Sequence, residues 1–453
     1  MSIYKANDIR GIVPDELDAT TACAIGRAVG HALDGASVVV GGDLRPSTSD
    51  LKPAAIEGLV AAGCRVIDVG QVSTPMCYFA KELLGTPGLL MVTASHNPPQ
   101  YNGFKVMLGS LPVDDADIRR LGVLAARADL RTGQGSAETA EVSERYLDFT
   151  ARQFTRGRRL KVVIDAGTGS AWQAGPTLFR TLGYEVVQLF CEPDGRYPRR
   201  SPNPAVPENI AALREAVPGL GADFGLALDG DADRAALVDD TGEVVLNDVV
   251  MVIFARHLLD EAADGQPVVV YDQKCSQVLA ESVSALGGRA LRERSGHAFI
   301  KRRFLVENAV FAGELSGHYF FRPLRYDDAV YAGLMLGELL RASGHSLREL
   351  AAGVPRYPIT PDLRVPAPAS LARLLDHLAE TFAKLPLDRS DGLRIEFEQG
   401  WALVRPSITE PLVTLRFEGQ TPQALSDIID RVLAAAPDLR EPVEARLRQV
   451  MPA

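Results

Sequence analysis

Cysteine is scarce in this chain of 453 residues: there are five, an odd number, and none forms a CxxC pair. That pattern argues against a disulfide framework and against a thiolate zinc site, so reduced thiols are expected. Long apolar runs are also missing. No window approaches the roughly 18 uninterrupted apolar residues that a membrane-spanning helix needs. The opening MSIYKANDIRG is charged within a few residues and has no apolar core, so no secretory leader is expected. An excess of basic charge is lacking too. The formal net charge of −10 argues against nucleic acid or an anionic membrane as partner, while leaving room for a local basic pocket. These absences together predict a cytoplasmic globular protein.

What is present supports several cores. The chain is 46% hydrophobic and 23% charged, and its length suits three or four domains. An internal repeat organises it. Three β-rich runs, SVVVGGD from Ser37, KVVIDAGTG from Lys161 and PVVVYDQKC from Pro267, each end in Gly or Asp and precede a helix-like stretch. Second runs follow at similar spacing (GCRVIDVG, GYEVVQLF, GGRALRER). Third runs end in chemically rich loops: GLLMVTASHNP, DFGLALDGDADR and NAVFAGELSGH. Alternating strand and helix patterns imply βαβ units. The fold class expected is α/β: three similar mixed-sheet α/β domains over residues 1–150, 151–250 and 251–364, then a smaller α+β domain over 365–453. In that tail, EFEQGWALV and PLVTLRFEG read as strands, and TPQALSDIIDRVLAAA as a capped amphipathic helix.

Four loops carry candidate chemistry. In TASHNPPQYNGFK, Pro98 and Pro99 end the preceding strand and leave Ser95 on a loop at its C-terminal end, where open α/β sheets bind ligands. DGDADR sets Asp229, Asp231 and Asp233 at alternate positions, and carboxylates that close call for a cation. An all-oxygen set suits a hard ion such as Mg²⁺. A calcium-binding EF-hand loop fits less well, because Arg234 stands where its glycine belongs and Asp240 where its glutamate belongs. GELSGH gathers Glu314, Ser316 and His318, an acceptor and donor set suited to neighbouring sugar hydroxyls. RPSITEP combines Arg405, Ser407 and Thr409 as a phosphate cradle.

With KANDIRG, YDQKCS and SGHAFIK added, these motifs run nearly end to end and resemble the α-D-phosphohexomutase family, in its bacterial phosphomannomutase/phosphoglucomutase branch. The resemblance implies four domains around a central cleft. It also implies reversible phosphoryl transfer between C1 and C6 of glucose and mannose phosphates, by way of a phosphoserine and a hexose 1,6-bisphosphate that serves as intermediate and activator. Ser95 matches the phosphoserine, which with Asp229, Asp231 and Asp233 would hold Mg²⁺. Arg10, Lys105 and Arg234 match cationic residues around the transferring group, and Lys105 or His297 could assist proton removal. Lys274 and His297 match cleft positions for the sugar phosphate. Glu314 and Ser316 match grips on O3 and O4, followed by His318, and Arg405, Ser407 and Thr409 match a distal phosphate site. The implied partners are small-molecule hexose phosphates, with no nucleic acid or membrane, and the implied state is a monomer.

The chain departs from the family pattern at Asn7, at Ile408, at Ala329, and in RYPRRSPNP, where a histidine-rich run is replaced and Arg199 and Arg200 read as solvated. The alternatives are a phosphoglucosamine mutase, disfavoured by Leu315 in the sugar loop, a noncatalytic sugar-phosphate sensor, and a metal-dependent phosphatase.

Overall fold

A computed structural model describes residues 3–5, 8–261, 265–368, 370–407 and 412–450. The first sheet contains β1 (Ile9–Ile12), β2 (Val38–Gly42), β3 (Arg65–Gln71), β4 (Gly88–Val92), β5 (Tyr101–Leu108) and β6 (Ser136–Thr139), in the order β1-β5-β4-β2-β3-β6. The second contains β7 (Lys161–Asp165), β8 (Glu185–Leu189), β9 (Phe224–Leu228), β10 (Ala235–Val238) and β11 (Val244–Val245), in the order β11-β10-β9-β7-β8. The third contains β12 (Val268–Asp272), β13 (Arg289–Glu293), β14 (Phe311–Gly313), β15 (Tyr319–Phe321) and β16 (Tyr326–Asp327), in the order β13-β12-β14-β15-β16.

The repeat read from the sequence is therefore a repeat in space. In each domain the first run is central, and the second and third lie parallel on either side of it. The Val-rich central strands are buried along nearly their whole length, as expected where helices cover both faces of a parallel sheet. The third strand then turns back into an antiparallel neighbour: β4 into β5, β9 into β10, β14 into β15. The three turns are the chemically rich loops. Equivalent positions in three domains thus carry Ser95, the aspartates and Glu314.

The fourth sheet is antiparallel: β17 (Leu363–Pro366), β18 (Leu387–Asp388), β19 (Leu393–Phe397), β20 (Gly400–Pro406) and β21 (Leu412–Gly419), ordered β17-β21-β20-β19-β18. The helix expected from TPQALSDIIDRVLAAA spans Pro422–Ala435, and the Thr421 side chain caps it by accepting from Ala424 N–H. A further helix, Pro437–Val450, which periodicity did not reveal, packs behind it.

The apolar cores divide unevenly. One cluster runs without a break through the first three domains, from Val39 and Met76 through Phe179 and Leu226 to Phe311 and Tyr331. The fourth domain has its own cluster, from Leu363 to Val443. Contacts from the third domain to the fourth include several polar ones, among them Lys274 to Asp362, Gln273 to Asp391 and Arg292 to Glu396. Among the described residues no helix is long and apolar enough to cross a membrane.

Candidate active site

Ser95 is fully buried and holds a left-handed backbone conformation, φ 50°, which costs a non-glycine residue roughly 1–3 kcal/mol and persists only where the surroundings impose it. Arg45 imposes it. Its Nη2 donates to the carbonyls of Ser95 (2.8 Å) and Asn97 (2.6 Å), and its Nη1 to those of Pro98 (2.7 Å) and Tyr101 (2.9 Å). Its Nε donates to Asp43 Oδ2 at 3.1 Å, so all five donors of the guanidinium fork are engaged, four of them on carbonyls between Ser95 and Tyr101. Arg45→Met should strand the buried Asp43 and release the loop. The expected cost is about 3–5 kcal/mol of folding stability, read by urea unfolding, together with a fall in turnover.

The Ser95 hydroxyl donates to Asp229 Oδ2 at 2.7 Å, across 134 positions of sequence. Asp229 Oδ1 accepts the N–H groups of Asp233 (3.1 Å) and Arg234 (3.2 Å). The two loops touch closely enough that a Cβ on Gly230 would lie 2.5 Å from the Ser95 carbonyl, which explains the glycine. Lys105, on β5, donates to Asp231 Oδ2 at 2.8 Å and also to Asp233 Oδ2. Asp231 Oδ2 further accepts from Thr74 Oγ1 at 2.6 Å.

Ligand oxygens of the three aspartates lie within 4.8 Å of one another, all buried. The other oxygens of the Lys105 pair, Asp231 Oδ1 and Asp233 Oδ1, are buried without a hydrogen-bond partner among the described residues. Two orphaned carboxylate oxygens beside a third buried carboxylate form an all-oxygen donor set, which fits a hard divalent cation. The electrostatics agree. Burial, then Asp231 and Asp233, push the Asp229 carboxyl well above the usual range. Burial also works against the Lys105 ammonium, yet Asp231 and Asp233 keep it well above the ordinary lysine value. A second acidic group, Asp233 with His318 and Asp327, fits a cation less well. Arg234 Nε donates to His318 Nε2 at 2.8 Å, and an arginine can only donate, so the imidazole proton sits on Nδ1 and goes to Asp327 at 2.6 Å. Both ring nitrogens are committed. Burial holds this neutral imidazole down to about 3, and it offers no free nitrogen to a sugar; what it does is orient Arg234.

Arg10, on β1, donates from Nη1 to Asn97 Oδ1 at 2.7 Å, and its buried Nε has no partner among the described residues. His297 opens the helix His297–Val306, and its Nε2 lies 3.2 Å from the Tyr78 hydroxyl. Ser316 donates to Glu314 Oε2 at 2.9 Å, leaving Glu314 Oε1 buried without a partner among the described residues. Lys274 donates to Asp362 Oδ2 at 3.3 Å. From the fourth domain, Arg405 Nη2 lies 3.2 Å from Asp391 Oδ2, its Nε has no partner among the described residues, and Ser407 N–H donates to the Leu412 carbonyl at 2.8 Å. Thr409, with Ile408, and Asn7 lie outside the described residues.

Sequence reasoning missed Arg45, Asp43, Thr74, Tyr78 and Asp327, and it misjudged Arg200. Arg199 is exposed, but Arg200 is buried: its Nε donates to Asp165 at 2.8 Å and its Nη2 to the Leu228 carbonyl at 2.7 Å, just before the aspartate loop. A signal was available. The central strand of each repeat ends in an aspartate or is followed directly by one, Asp43, Asp165 and Asp272, and each accepts the N–H two residues on, at 3.0, 2.8 and 3.0 Å.

Comparison with known proteins gives this architecture its class. Residues 1–129, 144–242 and 247–357 match alpha/beta/alpha domains I, II and III of phosphoglucomutase/phosphomannomutase, and 362–435 match its C-terminal domain. The chain belongs to the phosphoglucomutase/phosphomannomutase family, a family of mutases. It is 37% identical to a phosphomannomutase/phosphoglucomutase of Pseudomonas putida, covering 97% of both chains. Its identity to a phosphoglucomutase of Neisseria gonorrhoeae is also 37%, over 95% of this chain and 96% of that one. A crystal structure of a family member from Burkholderia thailandensis superposes with a TM-score of 0.89 at 37% identity, covering 96% of this chain and 98% of that one.

Proposed function

We propose that the protein moves a phosphoryl group reversibly between C1 and C6 of glucose and mannose phosphates, through a phosphoserine at Ser95 and a hexose 1,6-bisphosphate. The observation that carries this reading is the Ser95 hydroxyl set 2.7 Å from Asp229, beside two orphaned carboxylate oxygens. Asp229, Asp231 and Asp233, with the serine phosphate, would hold Mg²⁺. When bound, that ion supplies charge withdrawal from the phosphoryl group.

The chain's own residues account for the rest. In the forward half-reaction the P–O bond to Ser95 breaks, a P–O bond to the free sugar hydroxyl forms, and the proton of that hydroxyl ends on the departing Ser95 oxygen, which becomes the free serine hydroxyl again. The bisphosphate then reverses, and Ser95 recovers the other phosphoryl group. Lys105, fixed as an ammonium between two carboxylates, serves as a cation beside the transferring group and is a poor base. Arg10 and Arg234 add positive charge to the same region. Arg405, Ser407 and Thr409, with Lys274 nearby, are read as the anchor for the phosphate that stays put, and the unpartnered Arg405 Nε supports that role. We read the enzyme as a cytoplasmic monomer acting on free sugar phosphates.

Glu314 and Ser316 would grip O3 and O4, hydroxyls that glucose and mannose share. Following the products by phosphorus NMR should therefore show glucose 1-phosphate and mannose 1-phosphate both converted, with glucosamine 1-phosphate poorer. Glu314→Ala should damage both conversions by similar factors. Burial and the nearby Asp272 carboxylate push Glu314 up to about 7, so its acceptor form is lost as pH falls through that value. KM should rise below neutrality in the wild type, and Glu314→Gln should lose that dependence. Activity on glucosamine 1-phosphate alone would move the protein to that neighbouring mutase class.

A further inference from the structure

Two residues that the proposed chemistry does not use meet where the first and third domains join. Tyr78 lies on the helix Thr74–Leu84, while His297 and Lys301 lie one turn apart on the helix His297–Val306, and so on one face of it. The Tyr78 hydroxyl is 3.2 Å from His297 Nε2, and the Lys301 ammonium stands 3.0 Å above the centre of the Tyr78 ring. Both ends of Tyr78 are thus held by one helix of another domain. One turn earlier on the tyrosine's own helix, Thr74 donates to Asp231, so this helix links the aspartate loop to His297.

Lys301 is 1% exposed, and no carboxylate lies within ion-pairing distance of it among the described residues; its one other close polar contact is Met107 Sδ at 3.9 Å. A buried amine with so little satisfaction is expensive to keep, and burial pulls it down to about 7. Burial also holds the Tyr78 phenol well above its usual range, so it stays protonated and able to donate. No other side-chain or backbone acceptor for that proton is found among the described residues. In its protonated form, Lys301 over the aromatic face draws electron density from the ring and makes the phenol a stronger donor.

We infer that Tyr78 is a positioning residue for His297: its hydroxyl donates to Nε2 and fixes the imidazole proton on Nδ1, with Lys301 pinning the ring. The half-buried His297 then presents an N–H at its remaining nitrogen. It binds an oxygen of the ligand and does not remove a proton, so of the two groups weighed as a base, neither His297 nor Lys105 is set up for that task. The kinetic consequence rests on the place at the sugar phosphate that the family resemblance implies for His297; the tautomer does not.

The test is a long-range proton–nitrogen NMR correlation on full-length protein carrying ¹⁵N-histidine, with His297→Gln assigning the resonance. The expected wild-type pattern is that of the Nδ1–H tautomer. Tyr78→Phe keeps the ring beneath Lys301 and should move the pattern toward Nε2–H, with kcat/KM falling about tenfold, the scale of one hydrogen bond. An Nε2–H pattern in the wild type overturns the inference even if no variant folds, and so does an unchanged pattern in Tyr78→Phe. A tautomer change with unaltered turnover would leave the positioning intact and remove His297 from the substrate's path.

Discussion

Ser95→Ala is expected to lower turnover by on the order of 10⁴-fold or more, while binding of hexose phosphates persists. The residue sits where three constraints converge: a left-handed backbone held by Arg45, a hydroxyl directed at Asp229, and a loop contact that only glycine at 230 allows. Removing one oxygen leaves these supports in place, since Arg45 grips carbonyls and not the side chain. Folding stability should therefore change little, and the loss should fall on kcat. Intact-protein mass spectrometry should show a phosphate on part of the wild type and none on the variant. Unchanged turnover in a clean Ser95→Ala preparation would take the carrier role away from this serine.

Much of this site was legible because the repeat is written in strands and their ends. A run such as SVVVGGD or KVVID announces a buried parallel strand by its branched residues, and three such runs at similar spacing announce three domains. The Ser95, Asp229 and Glu314 loops could be found because each follows the third strand of its repeat. What stayed hidden was pairing between loops. Ser95 and Asp229 are 134 positions apart, Tyr78 and His297 are 219 apart, and no local pattern reports either distance. Arg200 shows the same limit. In RYPRRSPNP two adjacent arginines look alike, yet one faces solvent and the other closes on Asp165, a partner set by the sheet and not by its neighbours. His318 was read as following a pair of sugar grips, but both of its nitrogens are spent on Arg234 and Asp327. Which donor meets which acceptor there is set by the packing of the domains and not by the local sequence.

Asp229→Asn is expected to separate the metal's role in activity from its role in stability. Asparagine keeps an oxygen for the Asp233 and Arg234 N–H groups and can donate its amide hydrogen to Ser95, so the loop should still form. What it removes is a carboxyl whose ionised form would lie buried beside two other carboxylates. Burial and both neighbouring carboxylates raise the Asp229 pKa, so the folded state holds a proton that the unfolded state releases. For such a group the metal-free fold is most stable at low pH, and it loses stability as pH rises above the unfolded carboxyl value toward the raised one. Asp231 contributes with the opposite sign: although burial opposes it, Lys105 holds its pKa down, and its contribution is lost as pH falls. Comparing wild type with Asp229→Asn isolates the first effect. In chelator, the variant should be at least as stable as wild type at neutral pH, and its Tm should vary less with pH. With Mg²⁺ added, the wild-type Tm should climb by ligand linkage, while the variant should respond weakly. Calorimetry should find metal affinity reduced at least about a hundredfold, with turnover falling in parallel. Full activity of the wild type after exhaustive chelation would exclude a catalytic cation. An unaltered Mg²⁺ response in Asp229→Asn would place the ion elsewhere.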